Sequence, residues 1–248
     1  MERQQTIKNE VSISGVGLHT GNKVTLNFKP APTNHGISFK RIDLESQPII
    51  EASASYVTET ERSTTICKNG VKIQTPEHLL AACAGLKIDN ILIEINAEEL
   101  PILDGSSIEY IKCLKKADLL KQNAIRKYFV IKEEINFEDP ETGAKIQALP
   151  ADEFNISIKI DYESKVLGNA TSPVIRSISS IVLILTFPVI SVSGTVYVDC
   201  TKSGEFNTKS LSFQNLSNSL LDLSEPSFRN VSILITLFCL GLGFSNSS

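Results

Sequence analysis

The chain has 248 residues and a formal net charge of −4, with an isoelectric point near 5.5. The length allows one large domain or two small ones. The acidic balance argues against a non-specific nucleic-acid binder, which needs a basic face. Five cysteines, Cys67, Cys83, Cys113, Cys200 and Cys239, include no CxxC pair, a pattern expected of reduced thiols in a cytosol. The N-terminus, MERQQTIKNEVSIS, is polar and then alternating, which is unlike a secretory signal.

In chain order, EVSISGVGL reads as a strand entering a glycine-rich bend at Gly15 and Gly17. KVTLNFKPA follows, with Val24, Leu26 and Phe28 alternating against Thr25, Asn27 and Lys29, the period of a half-buried strand. HTGN (19–22) between them is turn chemistry, so the pair predicts a hairpin. STTIC and GVKIQ predict two short strands around a tight turn at Asn69-Gly70. In TPEHLLAACAGLKIDN (75–90), Thr75 is a candidate N-cap and Pro76 a favoured first helical residue. This puts Glu77 and His78 in the first turn of an apolar helix. NILIEINAEELP predicts a buried strand with an acidic end, and Asp104-Gly105-Ser106 leads into a second helix, SSIEYIKCLKKADLL. Residues 121–127 (KQNAIRK) read as a polar linker. A second hairpin is predicted from KYFVIKEEINFED and AKIQALP around DPETG (139–143), and EFNISIKIDY (153–162) as a further strand. Hairpins followed by helices suggest an α+β class with helices packed on one sheet face.

On the residues alone, Glu77 and His78 admit two readings. An acid in the first turn of a helix is favoured by the helix dipole, and an adjacent histidine is often simply half-buried. Equally, a helix N-terminus disfavours imidazolium, so such a histidine stays neutral and able to bind a metal. Neighbouring helical residues point about 100° apart, so Glu77 would act on a water rather than chelate beside His78. Zinc hydrolases divide labour in this way.

The stretches GVGLHTG (15–21), TPEHLLAACAGLKIDN (75–90) and ELPILDGSS (99–107), in this order, resemble the bacterial UDP-3-O-acyl-N-acetylglucosamine deacetylases, zinc enzymes of lipid A synthesis. The likeness continues more weakly through KYFVIKEE to KIDYESKVLGN and covers residues 1–168. It implies a two-domain β-α-α-β sandwich: a first α+β domain over 1–125 carrying the Glu-His motif, and the start of a second over 126–168. It also implies Zn²⁺ as cofactor and UDP-3-O-acyl-N-acetylglucosamine as substrate, while the cysteine pattern and the polar N-terminus lead to the expectation of a cytoplasmic location. By position, His78 would be a zinc ligand and Glu77 the general base. His19 would lie near the substrate at the mouth of the site, although a turn histidine explains itself. Asp104 reads chiefly as a helix N-cap.

The family takes its other two zinc ligands from a His-Lys-x-x-Asp helix in the second domain and uses a further histidine downstream. This chain has no histidine after His78. Asp199-Cys200 and Cys239 are the only suggestive downstream donors, and their spacing matches no metal motif. His19 and His35 are available upstream, but the resemblance puts neither on the metal. Residues 169–248 carry only eight of the 52 charged side chains, yet 17 serines. Their apolar runs, 179–191 and 231–244, fall short of the roughly 20 residues that span a bilayer. This stretch reads as a non-family tail: a shifted reading frame or gene-model error near Gly168 could give such a composition, and a real, divergent tail is the alternative. The second domain is therefore expected to be incomplete or aberrant and turnover low; the alternative is an inactive, truncated relative acting at most as a binding protein.

Overall fold

Alternation in KVTLNFKP builds the central seam of the main sheet. The computed structural model describes residues 2–60, 63–138 and 145–151. Beyond them it describes seven strands: Asn155–Asp161, Asn169–Ser172, Ile181–Leu185, Ile190–Ser193, Thr195–Cys200, Leu211–Ser212 and Ile233–Leu237. In chain order the first strands are β1 (Arg3–Ile7), β2 (Val11–Val16), β3 (Lys23–Pro30), β4 (Ile37–Arg41) and β5 (Ile49–Glu51). After them come β6 (Val57–Glu59), β7 (Thr65–Lys68), β8 (Val71–Gln74), helix α1 (Glu77–Gly85) and β9 (Ile91–Ile95). Helix α2 (Ile108–Lys116) and β10 (Leu119–Ile125) complete the first half.

Five strands form the main sheet in the order β2-β3-β9-β4-β5. The predicted hairpin is present, with Val11 opposite Phe28 and Val16 opposite Lys23. Val24, Leu26 and Phe28 on β3 and Ile91, Ile93 and Ile95 on β9 are all buried. They meet Leu79, Ala82 and Cys83 of α1 and Tyr110 and Leu114 of α2 in one core cluster. Mixed strands with helices on one core agree with the α+β class, which the family likeness also implies. At Asn69-Gly70 both residues have positive φ, 52° and 79°, as a tight primed turn between β7 and β8 requires.

α1 has no polar face: every residue from Glu77 to Cys83 is buried. Its C-terminus closes as a Schellman turn. Ile88 N–H donates to Cys83 O at 2.9 Å and Lys87 N–H to Ala84 O at 3.0 Å, with Lys87 at φ 56°.

Two local expectations are corrected. KQNAIRK is no linker for most of its length, because β10 pairs antiparallel with β1. Its polar side chains find partners across the fold: Gln122 donates to Ala31 O at 2.7 Å and accepts from Asn90 Nδ2 at 2.7 Å. Arg126, just beyond β10, reaches buried Asp89 at 2.6 and 2.8 Å, while Gln5 N–H holds the other oxygen of Asp89 at 2.7 Å. The second correction concerns α2, which is shorter than SSIEYIKCLKKADLL suggests and ends at Lys116, so that Leu119 and Leu120 enter β10.

Past Arg126, β11 (Lys127–Val130) pairs parallel with Ile190–Ser193. The second predicted hairpin forms between β12 (Ile135–Glu138) and β13 (Lys145–Leu149); its DPETG turn lies outside the described residues. Strand Thr195–Cys200 sits between β13 and Asn155–Asp161, antiparallel to the first and parallel to the second. Among the described residues, no helix is long and apolar enough to cross a membrane.

Removing one partner of a buried ion pair leaves an uncompensated charge. Arg126→Met should therefore lower the unfolding free energy by about 3 kcal/mol, read by urea denaturation; a change within experimental error would show that the pair contributes nothing.

Candidate functional site

Three stretches distant in sequence meet at the N-terminus of α1: the turn after β2, the segment between β8 and α1, and the chain after β9. Bridges Gly17–Pro101 and Gln74–Glu99 stitch them together. Gln74 N–H donates to Glu98 O at 2.9 Å and Leu100 N–H to Gln74 O at 3.0 Å.

Glu77 and His78 open α1, and both are buried, at 2% and 7% relative exposure. One oxygen of Glu77, Oε2, has no hydrogen-bond partner among the described residues. Burial pushes the Glu77 carboxyl up to about 7, against the pull of its own N–H and that of Thr64, with the charge of Glu99 adding to the rise. For His78, burial holds the imidazole below its ordinary pKa, and the charge of Asp104 pulls the other way. A carboxyl poised near neutrality beside a neutral imidazole can exchange a proton and donate a lone pair, respectively.

Thr75 is not the N-cap. The capping position is Pro76, with no side-chain cap, and Thr75 stands at φ 57°. For a β-branched residue that conformation costs on the order of 1–3 kcal/mol. Its N–H donates to Thr64 O at 2.9 Å, and its hydroxyl turns to Glu99 Oε1 at 3.3 Å. Asp104 does not cap α2 directly either. It accepts from the Ser106 N–H at 3.0 Å and from the Ser106 hydroxyl at 2.9 Å, and the Ser106 hydroxyl in turn accepts from Ile108 N–H at 3.1 Å. These bonds from Ser106 hold the Asp104 carboxyl below its ordinary range.

His19 has an exposed side chain; its backbone is what the site uses. The N–H of His19 donates to Glu99 Oε1 at 2.9 Å, and Thr20 donates to Oε2 through its N–H at 2.8 Å and its hydroxyl at 2.7 Å. Glu99, 1% exposed, is the residue that sequence reasoning missed. It looked like the acidic end of a strand, and the only local signal was an acid next to Leu100-Pro101 in an otherwise apolar stretch. Desolvation raises its pKa, but the N–H groups of His19 and Thr20 with the Thr20 hydroxyl outweigh that and leave it lowered. Among the described residues, no three His, Cys, Asp or Glu side chains are grouped as a metal cluster.

The chain belongs to the UDP-3-O-acyl N-acetylglycosamine deacetylase family, whose profile matches residues 4–179, past Gly168. It is 46% identical over 169 residues to the bifunctional enzyme LpxC/FabZ of Bacteroides thetaiotaomicron, covering 68% of this chain and 37% of that protein. It is also 44% identical over 166 residues to the UDP-3-O-acyl-N-acetylglucosamine deacetylase of Saccharophagus degradans, covering 67% of this chain and 54% of the relative. For the Chromohalobacter salexigens deacetylase the figures are 43%, 68% and 55%. The matched stretch thus spans about half the length of the single-function relatives and little more than a third of the bifunctional one.

A carboxyl whose folded pKa lies above its ordinary 4.5, at about 7, binds its proton more tightly in the folded state. Its stabilising contribution is full below about 4.5 and is lost as pH rises through 7. Relative to Glu77→Gln, the metal-free protein should therefore lose about 3 kcal/mol of stability between pH 4 and pH 8, measured by urea unfolding in chelator. A gap that does not change with pH would show that Glu77 ionises normally.

Proposed function

We propose that this chain derives from a zinc-dependent deacetylase that hydrolyses the N-acetyl group of UDP-3-O-acyl-N-acetylglucosamine in cytoplasmic lipid A synthesis, and that the chain itself is catalytically impaired. The observation that supports the first part is the buried Oε2 of Glu77, without a hydrogen-bond partner among the described residues, beside a buried His78. In this reading Glu77 takes the proton of the attacking water, and its pKa near 7 suits that task at neutral pH. The neutral His78 is one metal donor. Bound Zn²⁺ would supply Lewis-acid polarisation of the amide carbonyl. His19, on the exposed turn after β2, lies where substrate would enter.

The residues fit one ligand and one base, but a catalytic zinc site normally has three protein ligands. With no histidine after His78, the His-Lys-x-x-Asp ligands and the later histidine of the family are missing. We assign residues 1–125 and 126–168 to two successive α+β domains and attribute much of 169–248 to a shifted reading frame. Translation of the coding DNA in all three frames tests that attribution: the missing histidines should appear in another frame, and their absence from every frame would refute it.

The same lack of ligands favours a second reading, an inactive relative that still binds the UDP-sugar. Incubating the purified chain with UDP-3-O-acyl-N-acetylglucosamine and measuring released acetate tests impairment. Turnover should match the enzyme-free blank, and His78→Ala should leave it unchanged. Rapid deacetylation that His78→Ala abolishes would mean the site works as it stands.

A further inference from the structure

Glu99 is buried, and among the described residues no cationic side chain hydrogen-bonds to it; its carboxylate is satisfied by donors from two other segments. His19 N–H, Thr20 N–H and the Thr20 hydroxyl come from the turn after β2, and the Thr75 hydroxyl comes from the segment entering α1. The approach is so close that a Cβ at Gly17 would lie 2.4 Å from Glu99 Oε2 and 2.6 Å from Thr20 Oγ1. Only glycine admits the carboxylate there. Thr75, the far end of this linkage, holds a left-handed backbone at φ 57°, where a β-branched side chain is disfavoured. The next residues are Pro76, Glu77 and His78.

We propose that Glu99 is a positioning residue: by clamping Thr75 to the 17–20 turn, it holds the left-handed backbone that aims Glu77 and His78. The proposal rests on the reading of Glu77 and His78 as the reacting pair, since only then does their aim matter. A purely structural staple would hold the turn and leave the α1 entry to itself. The positioning role instead makes Thr75 the element through which Glu99 acts. Glycine takes φ near +57° without strain, so Thr75→Gly should remove the need for the clamp.

The chain has three histidines, His19, His35 and His78, so its imidazole NMR signals are assignable. The experiment records them for the full chain in chelator at one fixed pH, alongside the backbone amides of Glu77 and His78. Glu99→Gln, folded by circular dichroism, should shift the His78 ring and both amides while His35 stays in place. Adding Thr75→Gly to Glu99→Gln should return those signals toward their wild-type positions. Unmoved His78 signals in Glu99→Gln, or a double variant that stays as displaced as the single one, would overturn the proposal. If Glu99→Gln does not fold, Thr75→Val and Thr75→Gly in the wild-type background decide instead. The valine loses the bond to Glu99 and keeps the branched Cβ, so it should displace His78; the glycine should not. Equal displacement, or none in either, would overturn it. The readout needs neither zinc nor turnover, so a failed clamp and a failed deacetylase reading give separate results.

Discussion

A carboxylate cut off from water must find donors inside the fold, and Glu99 finds them on two segments far from it in sequence. The turn that carries His19 and Thr20 and the Thr75 approach to α1 both end on its two oxygens. Hydrogen bonds to a charged acceptor are stronger than neutral ones, and each is costly to leave unmade when buried. The motifs GVGLHTG, TPEHLLAACAGLKIDN and ELPILDGSS therefore describe one piece of structure, joined at this carboxylate. Gly17 belongs to the same arrangement, because a side chain there would displace Glu99.

Next to that anchor, desolvation sets the chemistry of the α1 N-terminus. Burial acts on Glu77 and His78 in opposite directions, raising the carboxyl and lowering the imidazole, because in both it disfavours the charged form. Two groups that would be charged and neutral in water at pH 7 are thus drawn toward neutrality together. The apolar body of α1, with Leu79, Ala82 and Cys83 fully buried, supplies the low-dielectric surroundings. The helix start that exposes no polar face to solvent is what makes an ordinary Glu-His pair suited to proton transfer and ligation.

Local signals carried much of this. The alternation of Val24, Leu26 and Phe28 gave β3 its buried face, and Asn69-Gly70 gave the turn between β7 and β8, since both depend on neighbours in sequence. Glu77 and His78 were legible as a helix start, and the long motifs around them pointed to the family. What escaped was decided at a distance. Thr75 looked like a cap because Thr before Pro usually is one, yet its hydroxyl is drawn off by Glu99, 24 residues away. KQNAIRK reads as a linker because it is polar, and its first five residues join β10 because β1, more than a hundred residues earlier, offers them an edge. Asp104 caps α2 only through Ser106, a relay that composition does not reveal.

In the proposed reading, His78 with Glu77 is one part of a zinc site whose remaining ligands this chain lacks. The most direct test is the affinity of the purified chain for Zn²⁺, measured by competition with a chromophoric chelator. A single imidazole should bind no tighter than roughly 10 micromolar, and binding should fall further in His78→Ala. A stoichiometric site of nanomolar affinity that depends on His78 would contradict the account, because it would mean that this chain supplies the remaining ligands itself.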